Sequence, residues 1–362
     1  MYSPLRHWPS ILWKRRPIHL TFFLTRRCNA RCPFCFYLQG NERNKNEAAE
    51  LSLQEIEKIS RSLKSLLWLA FSGGEVYLRK DLVEISEIFY RQNRPAIMLL
   101  PTNGLTPELI CERTEQILQR CPESVIAVKL SMDGLHEDHD RLRDTPGSFR
   151  KTLDTHARLR GLLDVYANFE LGINTVFLSG NQDKMDEIIE FVDAMEGVRT
   201  HTISLVRGDL ANNAYKNVDL SKYHNAISRL ARNLSGERRR TYRFTGARIK
   251  AAQDVLQRRL IHDTMTARQR LITCYAGRAN LVLTEIGEVY PCEIRKDSFG
   301  NVRDYNYDIG KVCETPNAKR TLASIYDREC YCSHECHFMT NILLNPCQYP
   351  ALLKEYRQVM HA

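Results

Sequence analysis

The chain has 362 residues, 43% hydrophobic and 26% charged, a composition that fits a globular protein with one large domain and a smaller second one. No apolar run approaches the roughly 18 residues needed to span a bilayer, which excludes a chain built from membrane helices. The formal charge of +9 is concentrated, because residues 207–278 hold 16 Lys and Arg against 5 Asp and Glu.

The first 17 residues, MYSPLRHWPSILWKRRP, read as a basic and aromatic extension. Arg and Trp interrupt any signal-peptide core, so a cytoplasmic location is expected. Basic residues beside Trp8 and Trp13 also suit peripheral membrane contact, although covering the bottom of the fold is the commoner role of such a segment.

Six short apolar, β-rich runs follow: His19–Thr25, Leu67–Ser72, Ala96–Thr102, Val125–Met132, Phe169–Phe177 and Thr200–Val206. Near-continuous apolar runs suit strands covered on both faces. Between them the pattern predicts helices over Leu51–Leu67, Leu82–Gln92, Pro107–Arg120, Ser148–Leu163 and Gln182–Met195. Ser52 with Glu55 three residues on makes a capping box for the first of these. Alternating strands and helices imply a parallel sheet, and six units fall short of a closed eight-stranded barrel. The expected fold is α/β, a partial (β/α)6 TIM barrel over residues 18–207.

Residues 208–273 read as a basic helical bridge that attracts an anionic partner or covers a solvated surface. Residues 274–350 read as a smaller, cysteine-rich α+β domain. It opens with a hairpin, LVLTEIGEVYPC, that turns at Gly287. Residues 351–362 form a final helix.

Twelve cysteines in a reducing compartment point away from disulfides, and their clustering favours metal. Cys28, Cys32 and Cys35 lie directly after the first strand. Three thiolates can hold three irons of a cubane cluster and leave the fourth open. Zinc is the plainer alternative, but no fourth Cys or His lies nearby to complete such a site.

The run CNARCPFC resembles the defining pattern of the radical S-adenosylmethionine (SAM) superfamily. That resemblance implies a [4Fe-4S] cluster whose open iron is chelated by SAM. One electron then breaks SAM to give a 5′-deoxyadenosyl radical, which takes a hydrogen atom from the substrate. Ser72-Gly73-Gly74-Glu75 after the second strand is similar to the family element that holds the SAM amino group, with Val76 where Pro is usual. By the same resemblance Phe34, Tyr37, Thr102, Asn103, Ser131, Asp133, Arg143, Asn174 and Leu205 are expected cofactor contacts. Thr102, Asn103, Ser131, Asp133 and Leu205 fall at or just beyond strand C-terminal ends, where α/β barrels place their sites.

Cys274-x12-Gly287-x4-Cys292, followed by Cys330, Cys332, Cys336 and Cys347, is similar to the SPASM/twitch extension of this family, which binds auxiliary [4Fe-4S] clusters. The opening fits and the second half departs at two intervals, so one auxiliary cluster is expected and a second is open. Cys313, His334 and His337 are ligands or bystanders, and Cys111 and Cys121 read as packing residues. No catalytic acid or base emerges among Asp209, Tyr215, Tyr290, Cys292 and Glu293.

The resemblance implies hydrogen abstraction, most often to modify a peptide or protein, with an external electron donor such as flavodoxin or ferredoxin. The basic segment keeps an anionic small molecule or lipid-linked substrate as the alternative. Nucleic acid is not expected as a partner. A non-catalytic iron–sulfur or zinc scaffold is the remaining class.

Overall fold

The computed structural model describes residues 1–14, 16–38, 49–235, 242–244 and 246–361. Six parallel strands form its centre: β1 (His19–Thr25), β2 (Trp68–Gly73), β3 (Ile97–Thr102), β4 (Val125–Ser131), β5 (Phe169–Phe177) and β6 (Thr200–Leu205). Helices α1 (Leu53–Ser62), α2 (Leu82–Asn93), α3 (Pro107–Arg120), α4 (His136–Leu142), α5 (Ser148–Val165) and α6 (Met185–Ala194) lie between consecutive strands. All seven residues of β1 are buried, as expected of a strand covered on both faces. On β4 the two faces separate cleanly: Ile126, Val128 and Leu130 belong to the main apolar core, whereas Val125, Ala127 and Lys129 line an inner cavity.

The first helix ends at Ser62, five residues short of the expected Leu67. The reason is a long-range polar contact. Asn93 donates to the carbonyls of Ser60 and Lys64, both at 3.0 Å, and accepts from the Ser60 hydroxyl at 2.6 Å. Those bonds satisfy the freed carbonyls and let the chain turn out towards β2. The capping box at the other end is present, with the Ser52 N–H donating to Glu55 at 2.8 Å.

Beyond β6 come α7 (Leu220–Ser235) and α8 (Ala247–Ala267). Much of their basic excess is spent inside the chain. Arg229 pairs with Asp186 at 2.9 Å, Lys222 with Asp183, and Arg259 with Glu355 at 2.6 Å. The hairpin β7 (Asn280–Leu283) and β8 (Glu288–Tyr290) turns at Gly287, whose φ is +91°. Its placement differs from a separate module, because β7 pairs in parallel with β1, register His19–Asn280 to Phe22–Leu283. One sheet therefore runs β6-β5-β4-β3-β2-β1-β7-β8-β9, with β9 at Gly300–Asn301. Helices α9 (Ile309–Cys313), α10 (Pro316–Tyr326), α11 (Glu335–Leu343) and α12 (Tyr349–His361) complete the cysteine-rich end.

The N-terminal segment docks near the beginnings of the strands. The Tyr2 N–H donates to Glu123 at 2.6 Å and Arg6 to the Leu66 carbonyl at 3.1 Å. Trp8 and Trp13 stay about two-thirds exposed, at 63% and 68%. No described helix is long and apolar enough to cross a membrane.

Replacing Asn93 with Ala should leave the Lys64 carbonyl and the Ser60 hydroxyl without a buried partner, while the Ser60 carbonyl keeps only the Leu63 N–H at 3.1 Å. A loss of about 1–3 kcal/mol is expected in denaturant titration. An unchanged midpoint would contradict this account of the early helix end.

Candidate active site

Cys28, Cys32 and Cys35 lie in the loop that leaves β1 at the C-terminal rim of the barrel. The Cys35 N–H donates to the Cys32 carbonyl at 3.0 Å, which folds the loop into a turn. N–H groups are aimed at its sulfurs: Ala30 at 3.5 Å and Asn103 Nδ2 at 3.7 Å from Cys28 Sγ, and Leu38 at 3.3 Å from Cys35 Sγ. Such donors favour thiolates over thiols. Burial pushes the Cys32 thiol up to about 11, and Arg143 acts in the opposite direction. A loop of three such thiols with one shared turn fits a cubane cluster with one open iron.

The Gly73-Gly74-Glu75 turn holds this loop by its backbone. Gly74 donates to the Thr25 carbonyl at 2.8 Å and Glu75 to the Arg27 carbonyl at 2.9 Å. A Cβ on Gly74 would lie 2.2 Å from the Arg27 oxygen, and one on Gly73 would lie 2.6 Å from the Thr25 oxygen. Gly73 also adopts φ +113°, where side chains are strained. Both glycines are therefore required by close approach to the cysteine loop.

Glu75 is buried beneath the rim. Its carboxylate accepts from the Thr102 hydroxyl at 2.8 Å, the Asn103 N–H at 2.7 Å and the Tyr77 N–H at 3.3 Å. Burial pushes its pKa up to about 7, against the bonds from Asn103 and Thr102. Thr152 and Thr155 of α5 donate to the Asn103 and Gly104 carbonyls, fixing the same turn from the other side.

Asp133 and Arg143 form a buried pair at 2.8 Å, and the Arg143 charge is felt at both Cys28 and Cys32. The Val176 N–H donates to Asp133 at 2.7 Å. Ser131 is opposite Asn174 in the β4–β5 register, and the Ser204 hydroxyl donates to Asn174 at 3.2 Å. Tyr37 is placed differently from the others. It stacks on Phe23 with centroids 4.5 Å apart and donates its hydroxyl to Glu285, between β1 and the hairpin.

Beneath the rim is a cavity of about 290 Å³ inside the barrel. Phe34 and Phe36 of the cysteine loop form part of its wall, with Asn174, Ser204 and Leu205 from the strand ends. On the far side, α8 and α11 fill the gap beyond β6. Sequence reading missed Lys129, Arg258 and Arg207 as part of this wall. Lys129 was findable, since it is the only charge in the run Val125–Met132 and falls on the inward register.

Among the possible acid–base groups, Glu293 reaches this cavity. It accepts from Arg207 at 3.2 Å and pairs with His334 at 2.6 Å. Burial opposes its ionisation, but His334 and Arg207 hold its carboxyl well below the usual range. Asp209 is instead paired with Lys296 at the surface, Tyr290 lines a separate small pocket beside Tyr37, and Tyr215 packs edge-on to Phe34 at 6.0 Å.

Of the C-terminal cysteines, Cys274, Cys292, Cys330 and Cys332 line one pocket together with His334 and His337. The four thiols influence each other electrostatically. Cys336 lies instead in the wall of the barrel cavity, and Cys347 is exposed near the start of α12. Among the described residues, no three His, Cys, Asp or Glu side chains converge as ligands of one metal ion do. Cys121 is fully buried in the core and Cys111 packs against it.

Residues 22–192 match the sequence profile of the Radical SAM superfamily. The chain is 26% identical over 301 residues to the AdoMet-dependent heme synthase of Methanosarcina barkeri, covering 80% of each protein. It is 24% identical over 299 residues to the subtilosin biosynthesis protein AlbA of Bacillus subtilis, covering 81% of this chain and 59% of AlbA. The solved structure of native anSMEcpe with bound AdoMet superposes with a TM-score of 0.60 at 15% identity, covering 95% of this chain and 98% of that one. That likeness establishes the fold.

Gly74→Ala should push the cysteine loop off the rim. Reconstituted protein is expected to hold less iron than wild type while keeping its helical circular-dichroism signal. Iron content equal to wild type would show that the close approach is dispensable.

Proposed function

We propose that this chain, whose residues 22–192 match the Radical SAM superfamily, is a radical SAM enzyme that takes a hydrogen atom from a peptide or protein substrate whose reacting residue enters the barrel cavity. The observation that carries the reading is that Phe34 and Phe36, flanking Cys35, form part of the cavity wall. Chemistry started at the cysteine loop therefore opens into a largely apolar space. A [4Fe-4S] cluster held by Cys28, Cys32 and Cys35 would supply, when bound, the electron for reductive cleavage of SAM and so the means of hydrogen abstraction.

The chain's own residues have separable tasks in this proposal. Cys28, Cys32 and Cys35 hold the cluster. Gly73, Gly74 and Glu75 fix the rim at which SAM binds, with Thr102 and Asn103 holding Glu75 in place. Arg143, held by Asp133, faces the cysteine loop with positive charge. Ser131, Asn174 and Leu205 close the SAM pocket at the strand ends, and the apolar walls exclude water from the radical. Cys274, Cys292, Cys330 and Cys332 hold one auxiliary [4Fe-4S] cluster, with Cys336 and Cys347 outside that set. An external one-electron donor such as flavodoxin or ferredoxin reduces the enzyme.

The bacteriocin-biosynthesis relative supports the peptide reading. Modification of an anionic small molecule is the second reading. It is favoured by the cations Lys129, Lys250 and Arg258 in the cavity wall and by the relative named a heme synthase. Contact of Trp8 and Trp13 with a membrane surface is compatible with either.

After anaerobic reconstitution, wild type should carry about eight irons, Cys292→Ser about four and Cys347→Ser about eight. Equal loss in both variants would overturn the four-cysteine assignment. With dithionite and SAM, wild type should form 5′-deoxyadenosine and Cys35→Ala should not. Absence of cleavage in fully loaded wild type would overturn the central reading, and a mass change in a candidate peptide would identify the substrate class.

A further inference from the structure

We propose that the wall of the barrel cavity carries a carboxylate-binding subsite, formed by Arg258 of α8 and Lys129 of β4, that anchors a substrate with an otherwise apolar body. The inference rests on the cavity being the substrate chamber, as proposed above, and adds the chemistry of what it holds.

Arg258 is nine-tenths buried and belongs to the cavity wall. Its Nη2 donates to the His201 carbonyl on β6 at 2.9 Å, while Nη1 is buried with no partner among the described residues. Lys129 converges on the same stretch of β6. Its ammonium donates to the Thr200 hydroxyl and lies 3.4 Å from the Thr202 hydroxyl, and no carboxylate pairs with it among the described residues. The Trp68 indole N–H, also in the cavity wall, is a further buried donor without a partner.

The carboxylates nearby are already engaged or lie outside the wall. Asp254 accepts from the Tyr242 hydroxyl at 2.8 Å and pairs with Lys250. Glu170 accepts the Arg243 N–H and does not belong to the cavity lining. Burial lowers the pKa of Lys129 to about 7, with Asp254 acting the other way, as expected of an ammonium short of a counterion. A buried guanidinium with an open N–H and an ammonium held only by neutral oxygens, the Thr200 carbonyl at 3.5 Å included, leave a strong demand for an anion.

The shape of that demand selects the ligand. A guanidinium fork matches a planar carboxylate. Much of the remaining wall is apolar, including Ala70, Ile97, Leu99, Val125, Ala127 and Met339, and the acids in it, Asp254, Glu293 and Glu335, are paired with Lys250 or Arg207. Lys129 is two residues below Ser131 on the inward face of β4, about 7 Å down the strand. A carboxylate bound there leaves its neighbouring carbons close beneath the rim. A peptide C-terminus and a small carboxylic acid both present this chemistry.

The test is calorimetric titration of the full chain, without SAM or reductant, using four probes. These are octanoate, octanamide, acetyl-Ala-Ala-Leu with a free carboxylate, and the same peptide as its carboxamide. At least one acid should bind about tenfold or more tightly than its amide, and Arg258→Met should remove that preference. Because Arg258 also holds the His201 carbonyl, Lys129→Met is measured beside it and should weaken acid binding without touching the amide. Octanoate binding alone assigns a small acid, and peptide-acid binding assigns a peptide C-terminus. Equal binding of acid and amide, no binding of either acid, or wild-type preference in both folded variants overturns the proposal. SAM cleavage is read separately, so each proposal can fail without the other.

Discussion

Two backbone hydrogen bonds, Gly74 N–H to Thr25 and Glu75 N–H to Arg27, tie the end of β2 to the loop that leaves β1. They form only because neither glycine carries a Cβ. Everything at the rim hangs from this junction. The cysteine loop is pinned to the sheet through it. Glu75, fixed by the same turn, carries the constraint on to Thr102 and Asn103 of the next βα unit, and Asn103 returns an N–H to Cys28 Sγ. The rim is thus a closed circuit of short polar contacts over three strands, which suits a site whose reactive group must not wander.

The barrel beneath has a different character. Its lining is largely apolar on the strand side, whereas α8 contributes Lys250, Asp254, Gln257 and Arg258. Under the proposed function the chain thereby separates two jobs, cofactor chemistry at the rim and substrate retention below. The parallel addition of β7 to β1 brings the C-terminal cysteines to the same structure. Glu293, one residue beyond Cys292, reaches the cavity and meets Arg207 from the end of β6. One buried ion-pair network, Arg207–Glu293–His334, therefore joins the C-terminal cysteine pocket to the barrel cavity.

The strands were legible because burial on both faces leaves an unbroken apolar run, and Phe169–Phe177 matches residue for residue. The capping box was legible because it is local. What escaped the sequence is non-local. Asn93 stops α1 from thirty-odd residues away in the chain, and no local signal marks it. The double glycine was legible as a motif, but its steric duty towards Arg27 depends on the register of β1 with β2. Cysteine spacing alone could not sort the C-terminal set, because Cys336 opens a helix facing the barrel while Cys330 and Cys332 lie in the extended stretch before it. The basic excess of residues 207–278 suggested a surface for anions. Folding pairs several of these charges with acids elsewhere in the chain, and Arg258 points inward.

The central claim is that the three-cysteine loop holds a cluster whose open iron takes SAM at the mouth of the barrel. Electron–nuclear double resonance of the reduced, reconstituted enzyme, with SAM isotopically labelled in its amino and carboxylate groups, tests it most directly. Hyperfine coupling from both labels to the cluster is predicted, and its loss in Cys35→Ala would assign the signal to this loop. A reduced cluster in the intact enzyme that shows no coupling to either label would contradict the account.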